Sequence, residues 1–454
     1  MPKPAMPANV SLPDSSNRDA KPSSRAGERI PGPSLWESTR RLYPTPFSVL
    51  PEYLPELTER YGDIVSFRIP GKAFVLVNEP EQIKDVLVTQ QHAFRKSMGA
   101  RALRLLLGDG LLTSDEPHHR QMRRIVQPAF HRERIEGYAR TMREFARTWA
   151  DGLTDGAQFE MHAAMNELAL RIAGETLFGA DSTHEATEVR AALHATLEAY
   201  PLSIGPAGAI RRRIPFLPST RAFATAHEQL DRIIYRIIRE RRSAPQERTD
   251  ALSLLLEAED PETGYRLSDE QVRDEALTLF LAGHETTANA LTWTWYLLSE
   301  HPEIGEYLRD SRDPEYARRV LRESMRLFPP AWIVGREAAR DVTLSGGYRI
   351  AAGTTVFVCP LVLHRRAKFY HDPLRFDPDR WLHEEVPAFA YVPFGGGARR
   401  CIGEEFAWTE GTIVLMEVAR RWRFERLTKQ PPGLRALVTL RPKEPMPVRA
   451  VAIN

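Results

Sequence analysis

The sequence has few cysteines, no long apolar run and almost no net charge. Its 454 residues include 2 cysteines, Cys359 and Cys401. This excludes a disulfide-stapled scaffold and is typical of a reducing, cytoplasmic compartment. No stretch approaches the roughly 18 consecutive apolar residues of a membrane-spanning helix, so we predict no transmembrane segment. The 62 basic and 60 acidic residues leave a net charge of +2, which gives no electrostatic basis for nucleic-acid binding.

What the chain does have is a globular composition, with 42% hydrophobic residues, and mostly helical periodicity. Residues 1–29 are rich in Pro, Ser and charge and are predicted to be a disordered tail. Over most of residues 117–242 and 268–327, apolar side chains recur three and four apart, as in helices. Short β-branched and aromatic runs within residues 63–77 predict a hairpin. We therefore predict one large domain, residues 30–454, that is mainly α with a small β region.

The strongest chemical signal is a glycine-rich turn that leads to Cys401 and then to a helix, with the sequence F-G-G-G-A-R-R-C-I-G over residues 394–403. A helix N-terminus favours a thiolate and lowers its pKa. Glycines let the backbone approach a flat ligand, and Arg399 offers a fork for a carboxylate. A thiolate-ligated haem requires these features. A buried free cysteine is the simpler alternative, and we predict that Cys359, in an apolar run without such a turn, is one.

A second signal lies inside the long apolar run of residues 275–298. Thr286 follows Ala282 by four residues, so its hydroxyl can bond that carbonyl and open the helix locally. Glu285 beside this alcohol makes an acid–alcohol pair suited to proton delivery. A solvated helix face is the alternative, but the apolar residues on both sides of the pair argue against it.

These motifs occur in the order and spacing of the cytochrome P450 family, which the chain resembles over roughly residues 30–454. Five residues match the F-x-x-G-x-R-x-C-x-G haem signature: Phe394, Gly397, Arg399, Cys401 and Gly403. The run from Ala282 to Thr286 matches the oxygen-activation motif A-G-x-[D/E]-T. The resemblance implies the P450 fold, haem b with Cys401 as its axial thiolate, and protonation of iron-bound oxygen by Glu285 and Thr286.

The resemblance also assigns a structural group. Glu323 and Arg326 match the E-x-x-R pair of the family, and Arg380 stands where the family has a third partner. Alone, a Glu and an Arg three residues apart are typical of a surface ion pair. As members of the family motif, these residues are expected to brace the core near the haem.

Haem propionates are assigned to a basic helix that starts near residue 117. Many family members have a Trp-x-x-x-Arg pair here, and this chain has His119 and Arg123, so His119 departs from the pattern but still offers a ring N–H. Arg336 is assigned as a further propionate ligand. A generic solvated basic helix is the alternative. The remaining arginines, with Arg400, are predicted to form a basic patch for an acidic electron donor.

In the family, four segments lie over the haem, here residues 98–113, 201–218, 277–287 and 331–334. They contribute the predicted substrate contacts: Leu106, Leu107, Leu111, Phe280, Ala282, Ala331, Trp332, Ile333 and Val334. Because these side chains are apolar, we predict a largely apolar substrate, such as a terpenoid, a fatty acyl chain or a natural-product intermediate.

The predicted reaction is monooxygenation, in which one atom of O₂ enters the substrate and the other leaves as water. The chain is too short to include a flavin reductase, so NAD(P)H electrons are predicted to arrive from a ferredoxin-type donor and its reductase. We predict a monomer. The alternatives are a peroxide-driven peroxygenase, which leaves Glu285 and Thr286 unexplained, and a haem-based gas-binding protein, which usually carries an output domain.

Overall fold

The computed structural model describes residues 29–43, 46–179, 218–243 and 250–453. The predicted tail therefore lies outside the described residues, except for its last position. The predicted loop at residues 201–218 also lies outside them, except for Pro218.

Helices make up most of the described chain. In chain order they are α1 Leu35–Leu42, α2 Pro46–Tyr61, α3 Pro80–Lys84, α4 Met98–Ala102, α5 Arg104–Leu107, α6 His118–Val126, α7 Arg132–Asp151, α8 Met161–Phe178, α9 Pro218–Ser243, α10 Ala251–Glu257, α11 Asp269–Glu300, α12 Pro302–Ser311, α13 Pro314–Leu327, α14 Pro360–Leu363, α15 Arg380–His383 and α16 Glu404–Ala419.

The strands are short. They are β1 Ile64–Ile69, β2 Lys72–Val77, β3 Phe94–Lys96, β4 Gln158–Glu160, β5 Val334–Ala338, β6 Val342–Leu344, β7 Tyr348–Ile350, β8 Thr355–Val358, β9 Trp422–Arg426, β10 Leu434–Ala436, β11 Leu440–Pro442 and β12 Pro447–Ala452.

The largest sheet joins distant parts of the chain in the order β1-β2-β8-β5-β3. The β1–β2 pair is the predicted hairpin, with Ile69 opposite Lys72 across the turn. The β2–β8 pair is parallel, and the other neighbours are antiparallel. This sheet brings β3 and β5, which carry two of the cations described below, side by side.

Helix α11 forms the centre of the helical core. It starts at a capping box in which Ser268 and Gln271 satisfy each other's backbone amides, and it runs for 32 residues. It packs against α8, α9, α13 and α16, so apolar residues surround it on nearly every side, as expected for a buried helix. Trp293 stacks on Phe328 at a ring-centroid distance of 4.2 Å.

The observed architecture is mainly helical with small sheets, which confirms the predicted fold class. Among the described residues, no helix combines the length and the apolarity that a bilayer crossing requires.

Candidate active site

Cys401 lies at the end of the glycine-rich loop, just before α16. Its backbone amide donates to the carbonyl of Phe394 at 3.0 Å, and the amide of Gly403 donates to its sulfur. Cys401 is exposed, but the protein around it is dense enough that burial dominates the pKa of its thiol. The thiol therefore opens into an interior recess and not onto the outer surface.

The ionisation of Cys401 differs from expectation. Burial raises the pKa of the thiol to about 11, and Glu404 in the first turn of α16 adds to this, while the Gly403 amide, Arg123 and Arg400 act in the opposite direction. The predicted lowering of this pKa by the helix N-terminus is wrong for the protein alone, because desolvation outweighs the helix end. A bound metal ion would favour the thiolate, because its charge deprotonates a coordinating thiol.

The loop approaches its neighbours closely at one glycine. Gly397 has a φ of +68°, and a Cβ at this position would lie 1.9 Å from the carbonyl oxygen of Leu87. Both facts require glycine. At Gly403, by contrast, an added Cβ would meet nothing closer than 3.6 Å. Phe394 is half-buried and packs on Trp408 of α16, with ring centroids 5.4 Å apart.

Four basic side chains form what we call the cation cluster: Lys96 of β3, His119 of α6, Arg336 of β5 and Arg399 of the Cys401 loop. Burial lowers the pKa of all four. Repulsion within the cluster adds to this effect for Lys96, His119 and Arg336. Burial, Arg399 and Lys96 lower the pKa of His119 to about 3, and burial and Arg399 lower that of Arg336 to about 10.

Two carboxylates offset part of this charge. An oxygen of Asp115 lies 3.4 Å from Arg399, and an oxygen of Glu116 lies 3.0 Å from Nδ1 of His119. With His119 neutral, three cations face two carboxylates, and no ion pair within the described ranges involves either of the other two cluster members. The cluster thus carries excess positive charge, which suits an anionic ligand.

This set of donors fits a haem. The Cys401 sulfur is a suitable iron ligand, and the cation cluster suits two propionates. His119 fits only in part, because a neutral ring that donates from Nδ1 to Glu116 presents an acceptor at Nε2. A propionate bound there requires the protonated ring, which added negative charge favours.

The arginines of α6 are more engaged than expected. Arg123 donates to the carbonyl of Arg400 at 2.7 Å and lies close enough to Cys401 to affect its thiol pKa. Arg124 and Arg400 form ion pairs with acidic side chains at 2.8 and 2.5 Å. Arg120 is exposed, and no ion pair within the described part of the chain involves it. The basic patch is therefore smaller than the sequence indicates.

The acid–alcohol pair lies on α11. The hydroxyl of Thr286 donates to the carbonyl of Ala282 at 2.6 Å, as predicted, but α11 is unbroken there, so the predicted opening is not observed. Ala282 is exposed and Thr286 half-buried, although the helix around them is buried, so this face borders a recess. Glu285 is buried and accepts a hydrogen bond from Thr439 at 2.6 Å.

Glu323, Arg326 and Arg380 meet in a fully buried ion network. Arg326 donates to both oxygens of Glu323 at 2.9 and 2.8 Å, and Arg380 donates to one of them at 2.8 Å. The two guanidiniums also donate to backbone carbonyls between residues 364 and 375. This network ties α13 to the segment that precedes the Cys401 loop.

The predicted substrate contacts occur in two environments. One group is almost fully buried in packed core: Leu106, Leu107, Leu111, Phe280 and Trp332. Trp332 also donates its indole N–H to the carbonyl of Leu437 at 3.1 Å. The other group keeps accessible surface: Ala282, Ala331, Ile333 and Val334. Packing alone accounts for the first group, so the second carries more weight for a substrate wall.

Sequence reasoning missed two residues of this site. Lys96 belongs to the cation cluster, and its signal is the alternation in β3, where Phe94 and Lys96 are buried and Arg95 between them is exposed. A lysine at a strand position whose side chain points into the protein requires a partner for its charge. Thr439, the partner of Glu285, has no comparable signal, because 154 residues separate the two in the chain.

Comparisons with known proteins identify the family and the fold. The family model described as Cytochrome P450 matches residues 45–448. Cyclooctatin synthase of Streptomyces melanosporofaciens is 37% identical over 86% of this chain and 87% of that protein. Pentalenene oxygenase of Streptomyces avermitilis is 34% identical, with 80% and 84% covered. A crystal structure of the cytochrome P450DA heme domain superposes with a TM-score of 0.83 at 26% identity, covering 94% of this chain and 98% of that one.

The chain therefore belongs to the cytochrome P450 family. It is a monooxygenase of that family, an oxidoreductase that carries haem iron on a thiolate ligand and uses O₂. Its relatives include a cyclooctat-9-en-7-ol 5-monooxygenase of Streptomyces melanosporofaciens, which is 36% identical over 80% of this chain and 83% of that protein.

Proposed function

We propose that this monooxygenase oxidises a terpenoid, with the haem held by Cys401 and the cation cluster and with electrons supplied by a ferredoxin. The observation that carries the haem assignment is the Cys401 thiol, which opens into an interior recess beside a cluster with excess positive charge. When bound, the haem supplies the iron at which O₂ is activated. The recess face of α11, with Ala282 and Thr286, is proposed as a wall of the cavity that would hold the haem and the substrate.

The roles of the chain's own residues follow from their contacts. Arg336, Arg399 and Lys96 bind the propionates, and the Gly403 amide holds the Cys401 sulfur in place. Glu285 is the proton donor and acceptor, because it is a buried carboxyl next to the exposed face of α11. Among the alternatives, a peroxygenase leaves this acid without a role.

The substrate proposal has two supports. Ala282, Ala331, Ile333 and Val334 are accessible and apolar, so they suit a hydrocarbon skeleton. The names of two relatives specify pentalenene and cyclooctat-9-en-7-ol, which by their endings are a hydrocarbon and an alcohol. We therefore favour a terpenoid over a fatty acyl chain.

The haem assignment is tested by the carbon monoxide difference spectrum of the dithionite-reduced protein. We expect the long-wavelength band for which the family is named, its loss in Cys401→Ala, and its retention in Cys359→Ala. Cys359 is the matched control, because it is fully buried and burial raises the pKa of its thiol to about 12. A Cys401→Ala protein that keeps the band would contradict the assignment.

The substrate class is tested by displacement of the iron-bound water, read in the absorption spectrum. Pentalenene is expected to produce the shift at micromolar concentration, and dodecanoic acid only at concentrations at least about tenfold higher. Equal responses would remove the preference for a terpenoid, and a response to dodecanoic acid alone would reverse it.

The electron donor is proposed to dock near Arg120, on the side of the protein where α6 meets the Cys401 loop. Arg120→Glu is expected to slow reduction by ferredoxin about tenfold at low salt and to weaken its dependence on ionic strength. Turnover that requires peroxide and ignores ferredoxin would favour the peroxygenase alternative instead.

A further inference from the structure

A buried hydrogen-bonded line runs from Glu285 across to α8. Thr439, in the turn between β10 and β11, is 5% exposed. Its hydroxyl donates to Oε1 of Glu285 at 2.6 Å and accepts from the amide of Asn289 at 3.1 Å. Because Glu285 and Asn289 lie one turn apart on α11, a single hydroxyl from a different part of the chain bridges two positions on the same helix face.

The line continues to a partly exposed histidine. Oδ1 of Asn289 lies 3.0 Å from Nε2 of His162, which is half-buried near the start of α8. The amide of Asn166 also lies 3.0 Å from this nitrogen, and it donates to the His162 carbonyl at 2.8 Å. The line thus joins a buried carboxyl to a side chain that reaches solvent.

This line is suited to orienting Glu285 and is not suited to conducting a proton along its length. An amide such as Asn289 keeps its hydrogens and cannot pass a proton on as a hydroxyl or water does. The bond from Thr439 occupies Oε1 of Glu285. Oε2 is buried and has no hydrogen-bond partner among the described residues. The two oxygens of this carboxyl therefore have different roles.

We infer that Thr439 is a positioning residue that anchors Oε1 of Glu285 and directs Oε2 to the proton transfers of oxygen activation. A proton that leaves Oε2 leaves the negative charge shared with Oε1, where the Thr439 O–H stabilises it, and solvent water returns the proton. The inference rests on the proposed role of Glu285 as the proton donor of the monooxygenase.

Charged groups of both signs act on His162 at the far end of the line. Burial lowers the pKa of His162, and so does Arg441 of β11, while Glu160 of β4 and Glu285 of α11 act to raise it. Because Glu285 acts on His162, the histidine reports on the charge and placement of the carboxyl. This provides a readout that does not depend on turnover.

The main experiment compares Thr439→Val with Thr439→Ser in the haem-loaded enzyme with ferredoxin and NADPH. Valine has the shape of threonine without the hydroxyl, and serine retains it. We expect Thr439→Val to divert electrons to hydrogen peroxide, with a product yield per NADPH about tenfold lower and a changed solvent isotope effect. Substrate binding and the carbon monoxide spectrum should stay as in the native enzyme, and Thr439→Ser should restore coupling.

The outcomes distinguish a failure of the role of Thr439 from a failure of the proposed monooxygenase function. Native coupling in Thr439→Val, or a Thr439→Ser enzyme as uncoupled as the valine variant, would overturn the inference while leaving the haem assignment intact. A native enzyme without the thiolate band would instead overturn the proposed function.

The second measurement is the imidazole pKa of His162, followed by nitrogen-15 NMR in the diamagnetic carbon monoxide complex. Glu285→Gln removes one of the charges that raise this pKa, so the pKa is expected to fall. An unchanged titration would show that the carboxyl is not coupled to the line, and the inference would fail.

Discussion

Two buried charge clusters of this protein are built in opposite ways. In the network of Glu323, Arg326 and Arg380, every side chain is at most 3% exposed. Both carboxylate oxygens accept hydrogen bonds, and the guanidinium groups continue onto backbone carbonyls. In the cation cluster, Asp115 and Glu116 lie beside Arg399 and His119, but within the described residues no ion pair involves Lys96 or Arg336. Burial and repulsion within the cluster lower the pKa values of Lys96, His119 and Arg336.

The difference distinguishes a group that braces the fold from a group that binds a ligand. Charges that meet all their partners inside the chain stabilise only the arrangement that they already have, and removing one member leaves the others unpaired. Charges of one sign without enough partners destabilise the protein alone and are compensated when an anion binds. The first cluster is self-sufficient, and the excess positive charge of the second suits an anionic ligand.

The largest effect is expected from breaking the self-sufficient network. Glu323→Gln leaves the buried guanidinium of Arg326 without a carboxylate and leaves Arg380 with Glu384 alone, so the free energy of unfolding should fall by about 3 to 5 kcal/mol. Urea midpoints and soluble yield measure this. Glu56→Gln is the control, because its ion pair with Arg41 is about half exposed on both sides and should contribute less than about 1 kcal/mol. Equal losses in both variants would show that the buried network has no special weight.

A smaller effect on stability is expected at Glu275, a buried acid that forms no ion pair within the described residues. Glu275 of α11 is fully buried, and burial raises its pKa from 4.5 to about 8, although the Leu111 amide offsets part of this shift. Because the folded-state pKa is the higher one, stability is lost as pH rises from 4.5 towards 8. Glu275→Gln does not ionise and should gain about 2 to 4 kcal/mol at pH 8 and almost nothing at pH 4.

Thermal unfolding at several pH values measures this dependence. Glu270→Gln, an exposed position on the same helix, is the control and should show no such pH trend. A gain in Glu275→Gln that is equal at pH 4 and pH 8 would mean that packing, and not ionisation, is responsible.

In the cation cluster, a substitution should have opposite effects on the protein alone and on the holoenzyme. Arg336→Met relieves repulsion, so the haem-free protein should melt at a higher temperature. The holoenzyme should lose haem about 10 to 100 times faster, because one charge-assisted hydrogen bond to a propionate is gone. Haem transfer to apomyoglobin measures the rate. Arg349→Met, at a highly exposed position of β7, is the control. Faster haem loss without the stability gain would mean that the cluster is not strained.

The sequence predicts the parts of the site that lie close together in the chain. The loop from Phe394 to Gly403 combines turn, cysteine and helix start in ten residues, and the bond from Thr286 to Ala282 spans one helical turn. Both patterns depend on local geometry, so both can be interpreted without the fold. The E-x-x-R pair is local as well, and only its family context indicated that Arg380 joins it.

The parts that could not be predicted depend on tertiary contacts. Lys96 joins Arg336 because β3 pairs with β5, and Thr439 reaches Glu285 because the β10–β11 turn packs against α11. The pKa of Cys401 was also beyond sequence reasoning, because its direction depends on how much protein surrounds the thiol. Local patterns name the donor atoms, whereas burial determines their charge.

The smallest expected effect is a change in the pKa of one member of the cation cluster, His119. Burial, Arg399 and Lys96 keep the pKa of His119 at about 3 in the protein alone, and Arg336 contributes in the same direction. Removing Arg336 should therefore raise this pKa by a few tenths to about one unit, and bound propionates should raise it further. Selective nitrogen-15 labelling of histidine measures it, with the half-buried His118 as an internal reference. If His119 remains neutral down to pH 4 with haem bound, its Nδ1 still donates to Glu116 and the ring does not donate a hydrogen bond to a propionate. A ring that is protonated near neutral pH would instead give His119 the role of the tryptophan that many family members have at this position.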